Sequence, residues 1–297
     1  MKKNSVIKQI TVLGMAMCIY VTLIGCGKEE SSVSLQDNIM LALTEENEAA
    51  KSLTGIITMA GSTSMEKFAN ALAESFMIKY PGVTVTVEFT GSSTGIASVL
   101  AERVDIGNSS RYLKDEEKSS GAVENIVAID GIALITDASN ATSSLTTEQL
   151  IGIYTGKIRN WSEVGGDDEA IVVVGREAGS GTREGFEELL GIKDMCAYAN
   201  ELDSAGAVMA RVALTPGAIG YVSPDVLDDT VLALSLDGAE PTEENIKAGN
   251  YLLSRPFVMV TKGEISVQSE TIQEMFVYLK SEEGQELIRA VGLIVPD

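Results

Sequence analysis

The chain has 297 residues, 45% hydrophobic and 22% charged, with 22 basic residues against 43 acidic ones and a formal charge of −21. That balance is globular and long enough for two modest lobes, and it excludes nucleic acid as a natural partner, because binding a phosphate backbone requires a basic face. Histidine is absent, which removes Ser-His-Asp triads, Cys-His dyads and histidine-ligated zinc together.

At the N-terminus, Lys2, Lys3 and Lys8 precede the apolar run from Ile10 to Ile24. A basic stretch followed by an apolar one too short for a membrane span has the form of a signal peptide over residues 1–25. It ends in Leu23-Ile24-Gly25-Cys26, which resembles the bacterial lipobox. That resemblance implies cleavage before Cys26 and a diacylglycerol on its sulfur, with further acylation such as palmitate; the alternative is an ordinary signal peptide with an incidental cysteine. Of the remaining cysteines, Cys18 lies in the signal, so Cys196 has no internal disulfide partner in the mature chain. It reads as a small apolar core residue. Residues 26–51 are polar and acidic apart from the patch Ile39 to Leu43, and are expected to form a flexible tether.

The folded part starts near Leu53, and strands then alternate with helices, an α/β pattern. Gly55 to Ala60 reads as a strand. From Ser64 to Tyr80 the apolar residues Met65, Phe68, Ala69, Leu72, Ala73, Phe76 and Met77 follow helical spacing, and Pro81-Gly82 stops the helix. Val83 to Phe89 alternates as a strand, and a short helix with Ile96, Val99 and Leu100 follows. Val127 to Thr136 and Pro256 to Thr261 are strong strands, each read as a single element. Ile171 to Gly175 is a strand and Glu184 to Leu190 a helix; the C-terminal helix carries Ile272, Met275, Phe276 and Leu279.

The turns between these elements carry the chemistry. Arg176-Glu177-Ala178-Gly179-Ser180-Gly181-Thr182-Arg183 joins a strand to a helix. Its glycines let backbone approach a ligand, and its N–H groups, hydroxyls and guanidinium donate, so it is suited to a small anion. Gly61-Ser62-Thr63-Ser64 lies between the first strand and first helix. Thr63 with Glu66 has capping-box spacing, which accounts for one hydroxyl but not three in succession. Gly91-Ser92-Ser93-Thr94-Gly95 is similar, and Asp105-Ile106-Gly107-Asn108-Ser109-Ser110-Arg111 follows the next helix. Each turn is weak evidence alone. Together, mostly at strand C-terminal ends where open α/β sheets bind ligands, they suggest donors converging on one tetrahedral oxyanion.

With these segments, and with Asp130-Gly131-Ile132-Ala133, Tyr154 to Trp161, Gly217 to Val222 and Ser254-Arg255-Pro256, the chain from about residue 53 to its end resembles the phosphate-binding lipoproteins of bacterial phosphate ABC transporters. The resemblance implies a two-lobed type II periplasmic-binding-protein fold, each lobe a mixed sheet flanked by helices. Lobe one would be 52–130 plus 254–297 and lobe two 131–253, with hinge crossings near Asp130-Gly131 and Ser254-Arg255-Pro256. Carried over by position, Thr63, Ser64, Ser92, Ser180, Gly181 and Thr182 would donate to phosphate and Arg176 would make the charge-assisted contact. Some members of the family have an aspartate where this chain has Ser110; that carboxylate accepts the proton of hydrogen phosphate and rejects sulfate. Ser110 accepts less strongly, Arg111 beside it could add a donor, and the acceptor role could pass to Asp130.

The resemblance further implies an extracytoplasmic, lipid-anchored monomer on the cell membrane that delivers phosphate to permease subunits, with no enzymatic activity, no cofactor and no metal. Sulfate or another tetrahedral oxyanion is the alternative ligand. A serine hydrolase using Ser180 is disfavoured, because the G-x-S-x-G spacing is absent and no motif-like lysine base stands near.

Overall fold

The computed structural model describes residues 53–296; the expected signal peptide, Cys26 and the tether 26–51 lie outside the described residues. The chain enters through β1 (Thr54–Gly61), a 3-10 turn at Thr63–Met65 and α1 (Glu66–Lys79). The helix proper begins later than its apolar spacing predicts, because Ser62 caps the short turn: its Oγ accepts from Ser64 N at 3.3 Å. Next come β2 (Gly82–Phe89), α2 (Ser92–Leu100), β3 (Ile106–Ser109), α3 (Asp115–Ser119) and β4 (Ala122–Gly131).

The chain then leaves this sheet. The run Val127 to Thr136, one strand by sequence, is broken at Ile132, and β5 (Ala133–Asp137) belongs to a second sheet. Gly131 still pairs with Ser254, whereas Ala133 pairs with Val222. Hydrophobic periodicity reports burial and is blind to which sheet supplies the neighbour.

The second sheet is built by β5, β6 (Ser144–Leu145), α4 (Thr147–Tyr154), β7 (Val172–Arg176), α5 (Gly181–Leu189), β8 (Asn200–Leu202), α6 (Ala205–Ala213), β9 (Ala218–Val222), β10 (Val231–Leu236) and α7 (Glu243–Lys247). The chain returns through β11 (Ser254–Lys262) and ends in α8 (Glu270–Lys280) and α9 (Glu282–Ala290). Strand order is β2-β1-β3-β11-β4 in the first sheet and β6-β10-β5-β9-β7-β8 in the second. In the first, β1, β2 and β3 are parallel while β11 runs antiparallel to β3 and β4; in the second, β7 is parallel to β8 and β9 while β5 runs antiparallel to β9 and β10, so each sheet is mixed.

Both sheets are covered on two faces. Along β11, Phe257 and Met259 join a core with Phe68, Leu72 and Phe76 of α1 and Met275 of α8. Val258 and Val260 join Ile96 and Val99 of α2 on the opposite face. The alternation is the period-2 geometry of a strand, and a near-continuous apolar run is what burial on both faces demands. In the second sheet, Leu134, Ile219 and Tyr221 pack with Leu150, Ile153 and Phe186, whereas Ile135, Val174 and Val222 pack with Val208 and Val212 of α6. Each fully buried side chain of this size stabilises by about 1.5–3 kcal/mol. The cores hold the sheets rigid, so the turns at their strand ends are held at fixed positions.

A candidate anion-binding site between the two sheets

β1 ends at Gly61, where a Cβ would stand 2.0 Å from the Asn108 carbonyl oxygen. Only glycine lets the chain turn this close to β3, and Ser62 N then donates to Asn108 O at 2.8 Å. The next residues, Ser62, Thr63 and Ser64, are all buried. Buried hydroxyls need partners, and theirs lie far along the chain. Ser62 Oγ donates to Ser110 Oγ at 2.8 Å, and Ser64 Oγ lies 2.7 Å from Thr182 Oγ1. Thr63 Oγ1 accepts from Ala205 N, at the start of α6, at 3.3 Å.

Ser92 opens α2 and is fully buried. Its Oγ accepts from Ser110 N at 3.1 Å and lies 3.4 Å from Ser110 Oγ. The residue before it is Gly91, at φ +88°, and no side chain caps this helix start. Instead Ser93 N donates to Gly179 O, on the turn after β7, at 3.1 Å, so the positive end of this helix lies against the second sheet's turn.

The second sheet contributes the turn after β7. Ser180 caps α5 through its Oγ, which accepts from Arg183 N at 3.4 Å, and so starts the helix at Gly181, earlier than the apolar pattern predicts. A Cβ on Gly181 would meet Ser92 Oγ at 2.3 Å and Ser110 Oγ at 2.8 Å. The backbone of one sheet's turn thus rests on the hydroxyls of the other. Thr63, Ser64, Ser92, Ser110, Ser180, Gly181 and Thr182 are therefore brought together, all buried, across a polar seam of hydroxyls.

Arg176 ends β7, at the head of the turn that carries Ser180 to Thr182. It is 1% exposed, its Nε donates to Leu202 O at 3.2 Å and one terminal nitrogen to Asp203 O at 2.8 Å. The other terminal nitrogen is buried without a partner, and no carboxylate of the described residues lies within ion-pair distance of it. Burial draws its pKa down to about 10, and the charge of Arg255 adds to that effect, so the guanidinium is still protonated at neutral pH.

Two of the sequence candidates are engaged elsewhere. Arg111 forks onto Glu117 at 2.8 and 2.9 Å, and its Nε stands 3.0 Å from Glu184 Oε2 without hydrogen-bond alignment. Asp130 Oδ2 accepts from Arg255 Nε and a terminal nitrogen at 3.2 and 3.0 Å, and its Oδ1 accepts from Ser223 Oγ at 2.8 Å. Neither makes a hydrogen bond to the hydroxyls of Ser62, Ser64, Ser92, Ser110 or Thr182. Burial pushes the Asp130 carboxyl up to about 6 in spite of the opposing pull of Arg255.

Sequence reasoning did not single out Ser62, although it sits in a run already marked as donor-rich. It also passed over Asn108, buried with both side-chain polar atoms unpartnered, and Arg255, whose motif was noted without its role. The thiol of Cys196 is half-buried, and burial pushes it up to about 11, in keeping with an inert residue.

Comparison with known proteins supplies context for this geometry. A PBP superfamily domain matches residues 45–282. The phosphate-binding protein PstS of Bacillus subtilis (strain 168) is 35% identical over 300 residues, covering 97% of this chain and 92% of that protein. Among solved structures, a substrate-binding protein assigned to phosphate ABC transport in Clostridium perfringens, with bound phosphate, is 40% identical at a TM-score of 0.79. The match covers 82% of this chain and all of that one. An ABC-type phosphate transport receptor from Vibrio cholerae is 37% identical at a TM-score of 0.69, covering 81% of this chain and 100% of the other.

Proposed function

The chain belongs to the PBP superfamily, among its phosphate-binding members, and from that premise we propose how it captures inorganic phosphate and delivers it to an ABC permease. The observation that carries the proposal is Arg176: a buried guanidinium whose hydrogen bonds go to the Leu202 and Asp203 carbonyls, with one nitrogen unpartnered and no carboxylate of the described residues in ion-pair contact, on the same turn as Ser180 and Thr182. A buried charge without a counterion is costly. A dianion between the sheets would supply the counterion, and the surrounding donors would occupy its lone pairs.

In this reading Thr63, Ser64, Ser92 and Ser110 hold the anion from the first lobe, 52–130 plus 254–297. Arg176, Ser180, Gly181 and Thr182 hold it from the second, 131–253. Because ligand touches both lobes, it binds the juxtaposed arrangement more tightly than a separated one, and hinge motion at the two crossings follows. Arg111 and Asp130 act outside this contact shell, as bridge and hinge groups. Ser180 Oγ is used as a helix cap, which supports a binding role over a nucleophilic one. We place the protein on the outer face of the cell membrane as a monomer, tethered through acylated Cys26. Mass spectrometry of the membrane fraction, with Cys26→Ser as control, tests the anchor.

A second ligand is favoured by one observation. Ser110, which the resemblance sets where some members of the family have an aspartate, is a hydroxyl whose Oγ already accepts from Ser62. A hydroxyl does not repel a fully ionised anion, so sulfate meets less opposition here than it would at a carboxylate. Isothermal titration with phosphate, sulfate and arsenate decides the matter: phosphate and arsenate are expected to bind, with phosphate tighter than sulfate at neutral pH. Displacement of phosphate by sulfate at equal concentration would make sulfate the ligand, and the absence of heat with all three would remove the receptor reading.

A further inference from the structure

We propose that Glu184 is a clasp between the two lobes that sets how long phosphate stays bound, an inference that rests on the receptor reading above. Glu184 lies in the first turn of α5, the helix whose start, Ser180 to Thr182, faces the site. Its carboxylate crosses to the first lobe. It stands 2.7 Å from Lys114 Nζ and 3.0 Å from Arg111 Nε, and accepts from Ser93 Oγ at 3.1 Å. Arg111 is fixed for this contact by Glu117, which takes two of its nitrogens, and by the Tyr112 carbonyl at 2.9 Å. Beside the cluster, Ser93 N donates to Gly179 O at 3.1 Å, so backbone and side chain bridge the same gap.

None of these contacts belongs to the phosphate contact shell, and all of them require both lobes to be together. Their free energy therefore enters only the difference between juxtaposed and separated lobes. The Glu184 side chain is 19% exposed, so solvent screens the cluster less than a surface pair. A ligand held between lobes leaves only when they part, which puts the effect on dissociation.

The sign of the effect separates this role from simple electrostatics. A carboxylate in the first turn of a helix whose N-terminus faces an anion repels that anion, so neutralising it should tighten binding. A clasp makes the opposite prediction. On the full chain, inorganic phosphate is titrated calorimetrically and its release followed by stopped flow for wild type, Glu184→Gln, Ser93→Ala, Lys114→Gln and the Glu184→Gln/Lys114→Gln pair. Glu184→Gln is expected to weaken binding about tenfold, almost all of it as faster release, in the range of coupling measured for close charge pairs. Ser93→Ala, on the opposite lobe, is expected to weaken it about two- to threefold through one lost hydrogen bond. Lys114→Gln should add little once Glu184 is neutral, the non-additivity of residues in contact. Unchanged or tighter phosphate binding by both Glu184→Gln and Ser93→Ala would overturn the clasp while the wild-type titration upheld the receptor. A wild type that binds no phosphate overturns the receptor reading and the clasp with it.

Discussion

Two arginines lie buried where the sheets meet, and the fold treats them oppositely. Arg255, on β11, is held in a fork by Asp130, itself fixed by Ser223. Arg176, at the end of β7, is equally buried, yet its hydrogen bonds go to carbonyl groups and one nitrogen has no partner. The first arrangement is complete within the protein and joins the strands near the crossings. The second leaves one buried nitrogen without a partner, which the proposed function fills with an anion. A buried cation is structural or functional according to whether the chain supplies its counterion.

The largest effect expected from this contrast is on Arg176. Arg176→Met should weaken phosphate binding by about 5 kcal/mol, beyond a thousandfold, because truncating one partner of a buried charge pair leaves the other uncompensated. The same change should leave the melting temperature without phosphate equal or higher, since an unpaired buried charge is removed. A lower melting temperature with intact affinity would erase the distinction between the two arginines.

Arg255→Met should do the reverse. Stranding Asp130 is expected to cost about 3–5 kcal/mol of stability in denaturant unfolding, with a smaller and indirect loss of affinity. Unchanged stability would show that the ion pair is dispensable.

A pH experiment sharpens the same point. The Asp130 carboxyl is raised from 3.8 to about 6 in the folded protein. Between those values the folded state keeps a proton that the unfolded chain gives up. Stability therefore falls as pH rises through that window and is level above it, by up to about 3 kcal/mol at 1.4 kcal/mol for each pH unit. Asp130→Asn should abolish this component, read as the difference between the two unfolding curves at pH 4 and pH 7. If the curves run parallel, the carboxyl is not raised.

Smallest is the single donor. Ser92→Ala should weaken phosphate binding by about 2 kcal/mol, the scale of one hydrogen bond to a charged group. It also removes the acceptor for Ser110 N, so a part of the loss should appear as stability, measurable by thermal unfolding without phosphate.

The glycine- and hydroxyl-rich turns at the strand ends were legible in sequence because their signal is local. Gly61-Ser62-Thr63-Ser64 and the stretch from Arg176 to Thr182 each place glycine, hydroxyls and a helix start within a few residues, and backbone sterics and capping act over that distance. Arg111 and Asp130 were singled out in sequence, but the partners they take in the fold were not. Asp130 is claimed by Arg255, 125 positions away, and by Ser223, 93 away. Arg111 faces Glu184, on a helix of the other sheet. Nothing local announces such partners. The strand expected from Val127 to Thr136 failed for the same reason, since both halves are buried and only the neighbouring strands differ.

The sequence by itself determined the α/β alternation, the polar turns at strand ends and a composition without histidine catalysis, because each follows from periodicity, capping or residue chemistry within a short window. The tertiary structure alone decided which buried arginine would be paired with a carboxylate, Arg255, and which would be left without one, Arg176. That choice depends on the carboxylates that folding brings within a few ångströms, and Coulomb energy in a dry interior is governed by that spacing rather than by order along the chain.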